Sequence, residues 1–164
     1  GITVSGGEPL CQAEFVFELF KLCHNAGINT CLDTSGYILN DKVKDLLNVT
    51  DRVLLDIKYT NDELYRNHVG CELKNVISFL EYANSVNIPV TLRQVIIPSL
   101  NDDENNIKSL KEIKSKYPCV DKAELLPFKK ICQIKYDKMG IEFPFAHIPQ
   151  PDKETMTKLD MLLK

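Results

Sequence analysis

The sequence predicts an α/β fold built on a parallel sheet, and two observations carry that prediction. Five strand-like runs, Ile2–Val4, Asn29–Thr34, Arg52–Ile57, Val90–Ile97 and Lys122–Leu126, are separated by segments whose apolar residues recur at helical spacing. Arg52–Ile57 and Val90–Ile97 are nearly continuous apolar runs, the pattern of strands covered on both faces. Strands alternating with helices of this length imply βαβ units. A chain of 164 residues fits one domain spanning residues 1–164, because a chain of this size buries about 70% of its unfolded surface.

The elements follow in order. Ile2–Val4 runs directly into Ser5-Gly6-Gly7-Glu8-Pro9. Phe15, Leu19, Leu22 and Ala26 then mark the apolar face of a first helix, with Gly27 as its stop. Val43, Leu46 and Leu47 mark a shorter helix whose N-cap is Asn40 or Asp41. Leu73, Val76, Ile77, Leu80 and Ala83 mark a third, after which Pro89 opens a strand. Ile107, Leu110, Ile113 and Tyr117 give a fourth, ended by Pro118, and a last helix covers Lys153–Leu163. The irregular stretch Lys129–Gln150 reads as an ordered loop that closes over one end of the sheet.

Composition narrows the function. The formal net charge is −3, with 20 Lys and Arg against 23 Asp and Glu mixed along the chain, so there is no electrostatic footprint for nucleic acid. No apolar stretch reaches the length of a membrane span and no export signal is evident, so a cytoplasmic location is expected. The six cysteines contain no Cys-x-x-Cys pair and read as reduced thiols that fill the core, Cys31 fitting that role best. His24, His68 and His147 are dispersed, with no triad or paired-ligand pattern.

Polar chemistry gathers at the ends of the strand-like runs, where parallel α/β folds hold their ligands. After the first run, Gly6 and Gly7 leave backbone groups uncovered and Glu8 offers an acceptor for an ammonium group. The spacing fits neither a P-loop nor a dinucleotide fingerprint. Asp33-Thr34-Ser35-Gly36 follows the second run and Asp56-Ile57-Lys58 ends the third. Asp33, Thr34 and Asp56 offer hard oxygens to a cation, and Lys58 shares a strand face with Asp56 and can pair a carboxylate. Arg93 lies inside an apolar strand and must meet a carboxylate or face a polar interior. Together these groups describe a site for an amino-acid moiety.

Five motifs in order, Ser5-Gly6-Gly7-Glu8-Pro9, Cys31-Leu32-Asp33-Thr34-Ser35-Gly36, Leu54-Leu55-Asp56-Ile57-Lys58, Arg93-Gln94-Val95-Ile96-Ile97-Pro98 and Leu125-Leu126-Pro127-Phe128, resemble the radical S-adenosylmethionine superfamily. Within it the pattern is most similar to the pyruvate formate-lyase activating enzymes, over essentially the whole chain. The resemblance implies a partial (β/α)6 barrel, with S-adenosylmethionine on a four-iron, four-sulfur (4Fe-4S) cluster whose cleavage yields a deoxyadenosyl radical. That radical takes hydrogen from a backbone glycine of a glycyl-radical enzyme, pyruvate formate-lyase, and a flavodoxin or ferredoxin donates the electron. The roles implied are Gly6, Gly7 and Glu8 at the methionyl ammonium, Asp56, Ile57 and Lys58 along the cofactor, and Asp33, Thr34 and Asp56 around a monovalent cation. Lys129 takes the place near the adenosyl group where the family has histidine, and Ser99 stands where the pattern has glycine.

The family's Cys-x-x-x-Cys-x-x-Cys motif precedes Gly-Gly-Glu-Pro and is missing here. The expectation is therefore a barrel lacking its first βα unit, inactive as given, with a sheet edge that favours self-association. The alternatives are an activase for another glycyl-radical lyase, a radical enzyme acting on a small molecule, and a partner-binding remnant without catalysis.

Overall fold

The computed structural model describes residues 1–164. Five parallel strands, β1 (Ile2–Val4), β2 (Thr30–Thr34), β3 (Arg52–Asp56), β4 (Val90–Ile96) and β5 (Val120–Pro127), lie side by side in sequence order, leaving β1 and β5 as edges. Every connection carries helix: α1 (Ala13–Asn25), α2 (Asp41–Leu47), α3 (Asp62–His68) with α4 (Leu73–Ser85), and α5 (Glu104–Lys116), followed after β5 by α6 (Gln133–Met139) and α7 (Lys153–Leu163). This is the α/β architecture expected, a five-stranded portion of a (β/α) barrel.

Strand alternation divides the sheet into two faces. Leu32, Val53, Leu55, Val90, Leu92 and Ile96 are fully buried against the helices in a core cluster of 28 residues. The alternate positions Cys31, Asp33, Arg52, Leu54, Asp56, Arg93 and Glu124 are only half-buried and look toward the interior of the partial barrel. The nearly continuous apolar runs are therefore interrupted at the positions where charge faces that interior.

Local chemistry sets the helix ends. Asn40, not Asp41, caps α2 by accepting from Val43 N; Asp103 caps α5 and Asp152 caps α7 in the same way. α1 is rotated relative to the sequence prediction. Its buried face is Ala13, Val16, Phe20 and Cys23, whereas Phe15 and Leu22 are 68% and 67% exposed. The helix carries two apolar stripes, so periodicity alone admits both rotations, and docking on the sheet selects the stripe holding Phe20. The cysteines also differ from expectation: Cys23 is buried, Cys11 is exposed, and Cys31 is half-buried on the inner face of β2. Burial still pushes the Cys31 thiol upward, partly offset by its hydrogen bond with Thr3.

Lys129–Gln150 does fold over one end of the sheet, but it contains α6, a helix with no buried residue, ended by Gly140 in the left-handed region. Phe143 anchors the segment, stacked on Phe128 at 6.4 Å and packed on Tyr136 at 5.0 Å. Val95, Ile97 and Leu100 complete this small cluster, which places it at the C-terminal end of β4 and β5.

Two backbone positions are demanding. Gly36 has φ +66°, and a Cβ there would stand 2.5 Å from Leu55 Cδ1 and 3.2 Å from Phe79 Cδ1, so both its conformation and its packing require glycine. Ser99 adopts φ +66° without being glycine. Its N–H donates to Asp102 Oδ1 at 2.8 Å, which holds the turn despite the cost of the left-handed conformation. Gly36→Ala is expected to lower unfolding free energy by about 2–4 kcal/mol, from overpacking plus backbone strain. Ser99→Gly is expected to raise it by about 0.5–1 kcal/mol, because the strain relieved exceeds the added freedom of the unfolded chain. Urea denaturation checks both.

Candidate functional site

The rims of the first four strands converge on one cavity of about 440 Å³, lined by Ser5, Gly6, Gly7, Glu8, Asp33, Thr34, Ser35, Asp56, Lys58 and Arg93, with no hydrophobic residue among them. Glu8, Asp33, Asp56 and Lys58, separated by up to 50 positions in sequence, thus stand around a single space. The lining holds three carboxylates against two cations, a formal balance of −1.

Arg93 organises the inner wall. Asp56 and Arg93 are register neighbours on β3 and β4. The Arg93 Nε donates to Asp56 Oδ1 at 2.9 Å, Nη2 lies 2.8 Å from the same oxygen, and Nη2 also donates to Asp33 Oδ1. Lys58 Nζ donates to Asp56 Oδ2 at 2.7 Å, the shared strand face that the sequence predicts. Burial works against the Arg93 charge, yet the carboxylates of Asp56 and Asp33 outweigh it and hold the guanidinium above its ordinary value.

The outer wall depends on Glu8. Its carboxylate accepts from Thr34 Oγ1 at 2.6 Å, Ser35 N at 3.0 Å, Ser35 Oγ at 2.5 Å and Leu10 N at 3.2 Å, so it ties the β1 turn to the β2 turn and caps the 3-10 turn Pro9–Gln12. Gly6 and Gly7 have φ of +85° and +54°, and a Cβ on either would meet no atom within 4 Å. Both are exposed and line the cavity, so backbone without side-chain cover borders it.

Several placements add to the sequence reading. Asp33, Thr34 and Asp56 all line the cavity; the two aspartates are bridged by Arg93, and the Thr34 hydroxyl donates to Glu8 while accepting from Gly36 N at 3.0 Å. The Arg93 guanidinium stands between the Asp33 and Asp56 carboxylates. All six cysteines are free. The Ile57 side chain is fully buried in the core, so only its backbone stands near the rim, where its N–H donates to Arg93 O at 2.9 Å. Lys129, assigned to the adenosyl end of the cofactor and not to this cavity, is exposed beside the Phe128 cluster.

The structure also reveals supports that sequence reasoning missed. The Lys58 backbone is held at both ends: its N–H donates to Tyr65 Oη at 3.0 Å and its carbonyl accepts from Asn101 Nδ2 at 3.2 Å. Burial of Tyr65 keeps that phenol neutral far above the usual range. Asn101 also donates to Val95 O at 2.9 Å and accepts from Ile97 N at 2.7 Å. Asn106 continues the network, donating to Gln94 Oε1 and Asn101 O at 2.8 Å each and accepting from Thr60 Oγ1 at 2.8 Å. These buried amides are fully partnered and lock the β3 and β4 rims together. A second cavity of about 370 Å³ shares Glu8, Ser35 and Lys58 with the first but is mainly apolar, with Tyr37, Ile38, Tyr65 and Val76 on its walls.

A family model for the Radical SAM superfamily matches residues 1–110. The chain belongs to that superfamily. It is 38% identical over 166 residues to the pyruvate formate-lyase 1-activating enzyme of Escherichia coli, covering all of this chain and 68% of that protein. It is 38% identical over 164 residues to the pyruvate formate-lyase-activating enzyme of Clostridium pasteurianum, with the same coverage. The chain is thus a homologue of the activating enzymes and falls among radical SAM oxidoreductases. A crystal structure of a domain of pyruvate-formate lyase-activating enzyme from Bacteroides vulgatus shares the fold, with TM-score 0.80 and 21% identity over 99% of this chain and 92% of that one. No helix is long and apolar enough to cross a membrane.

Proposed function

We propose that residues 1–164 form the part of a glycyl-radical-enzyme activating enzyme that grips the amino-acid half of S-adenosylmethionine, and that its partner lyase is pyruvate formate-lyase. The observation that carries this reading is the all-polar cavity with a formal balance of −1, which complements a ligand bearing a sulfonium, an ammonium and one carboxylate. S-adenosylmethionine supplies, when bound, a weak carbon–sulfur bond whose one-electron reduction drives hydrogen abstraction from a backbone glycine of the partner.

The chain's own residues do the binding. Gly6 and Gly7 present open backbone and Glu8 presents a fixed carboxylate to the ammonium. Lys58 and Arg93 face the ligand carboxylate, while Asp56 sets the position of both cations. Desolvation of this pair-rich site by a ligand strengthens each of these interactions.

Isothermal titration of the chain with S-adenosylmethionine tests the proposal. Measurable binding is expected, and Lys58→Met is expected to weaken it at least tenfold, about 1.4 kcal/mol. Absence of binding, or binding indifferent to Lys58→Met, contradicts the proposal.

A further inference from the structure

We propose that Ser35, with Thr34, is a positioning residue for the ammonium group of the ligand and acts through Glu8. The inference rests on the reading of the cavity as an S-adenosylmethionine site and extends it to residues that reading leaves without a role.

The turn that bears Glu8 has little packing of its own. A Cβ on Gly6 or Gly7 would touch nothing within 4 Å, and both residues sit at positive φ, so the backbone from Ser5 to Glu8 gains no support from neighbouring side chains at the glycines. A glutamate left free there would lose side-chain entropy on fixing its carboxylate around a ligand. That ordering is already present in the structure. Thr34 and Ser35, 26 and 27 residues away, supply three of the four hydrogen bonds on the carboxylate, two of them from hydroxyl groups at 2.6 and 2.5 Å.

The donors are themselves braced. Thr34 is 3% exposed and its hydroxyl, while donating to Glu8, accepts from Gly36 N. Gly36 is packed closely on one side by Leu55 and Phe79, which fill the space a Cβ would take. The line of support therefore runs from the core through Gly36 and Thr34 to Glu8, and Ser35 holds the second carboxylate oxygen from the cavity wall. Short hydroxyl donors on an ionised carboxylate are the strong kind of hydrogen bond, so their loss changes where that charge sits. An ammonium group is the part of the ligand that reads this position, and a carboxylate or nucleoside is not.

Calorimetric titration of the full chain with S-adenosylmethionine and with the analogue lacking the α-amino group tests the inference. Ser35→Ala is expected to weaken S-adenosylmethionine binding about 5–10-fold and to leave the analogue within twofold, and Ser35→Thr, which keeps the hydroxyl, recovers most of the loss. In a Glu8→Gln background the further change to Ser35→Ala is expected to cost less than twofold. Equal weakening of both ligands by Ser35→Ala identifies a merely structural role and overturns the inference, as does no change for either. If Ser35→Ala does not fold, Ser35→Cys replaces it, with a weaker donor and the same contrast between ligands expected. Wild-type protein that fails to bind S-adenosylmethionine overturns the reading of the cavity and this inference with it; wild-type binding with insensitivity to Ser35→Ala overturns this inference alone.

Discussion

Charge placed on the inner face of an otherwise apolar sheet is the constraint on which this molecule turns. Arg93 sits on the central portion of β4, and no apolar environment tolerates a guanidinium without partners. Asp33 on β2 and Asp56 on β3 supply them, so three strands that are already joined by backbone ladders are joined again at their rim by ion pairs. Lys58 extends the set beyond the end of β3. The same four side chains that satisfy one another line a cavity, which means the cost of holding charge near the interior is met by the fold itself. A ligand with mixed charge can then exchange contacts with groups that are already oriented.

Around this wall the rim is built by two other kinds of bonding. On one side, the Glu8 carboxylate clamps a glycine turn to the end of β2. On the other, the buried amides of Gln94, Asn101 and Asn106, with Thr60 and Tyr65, fix the backbone that carries Lys58. Each support is polar and each is fully partnered, so the rim is rigid without being apolar. The apolar cavity that shares Glu8, Ser35 and Lys58 lies outside this polar wall and touches the helical layer through Tyr65 and Val76.

How much of this was legible in the sequence depends on distance along the chain. Strands were legible because Arg52–Asp56 and Val90–Ile96 are short apolar runs between helical spacings, and their observed limits differ from the predicted ones by a single residue. α3 and α6 were not, because each has seven residues and buries one side chain or none, which leaves no periodicity to read. The rotation of α1 was ambiguous for the opposite reason, an excess of apolar residues around the helix. At the site, acidic and basic residues at strand ends announced themselves by position. The partners of those residues did not: Thr34 and Ser35 reach Glu8 across 26 and 27 positions, Thr60 reaches Asn106 across 46, and Ser, Thr and Asn in loops have many local uses. The type and spacing of Asp33 and Asp56 suit a cation, and only the fold shows that Arg93 also bridges them.

Thermal and urea unfolding of Arg93→Leu, beside the double variant Arg93→Leu/Asp33→Asn, tests the central claim most directly. Asp33 has Arg93 as its ion-pair partner, so the single variant leaves a half-buried carboxylate without compensation and is expected to lose about 2–4 kcal/mol, while the double variant regains at least half of that. Single and double variants that are both as stable as the wild type would contradict the account.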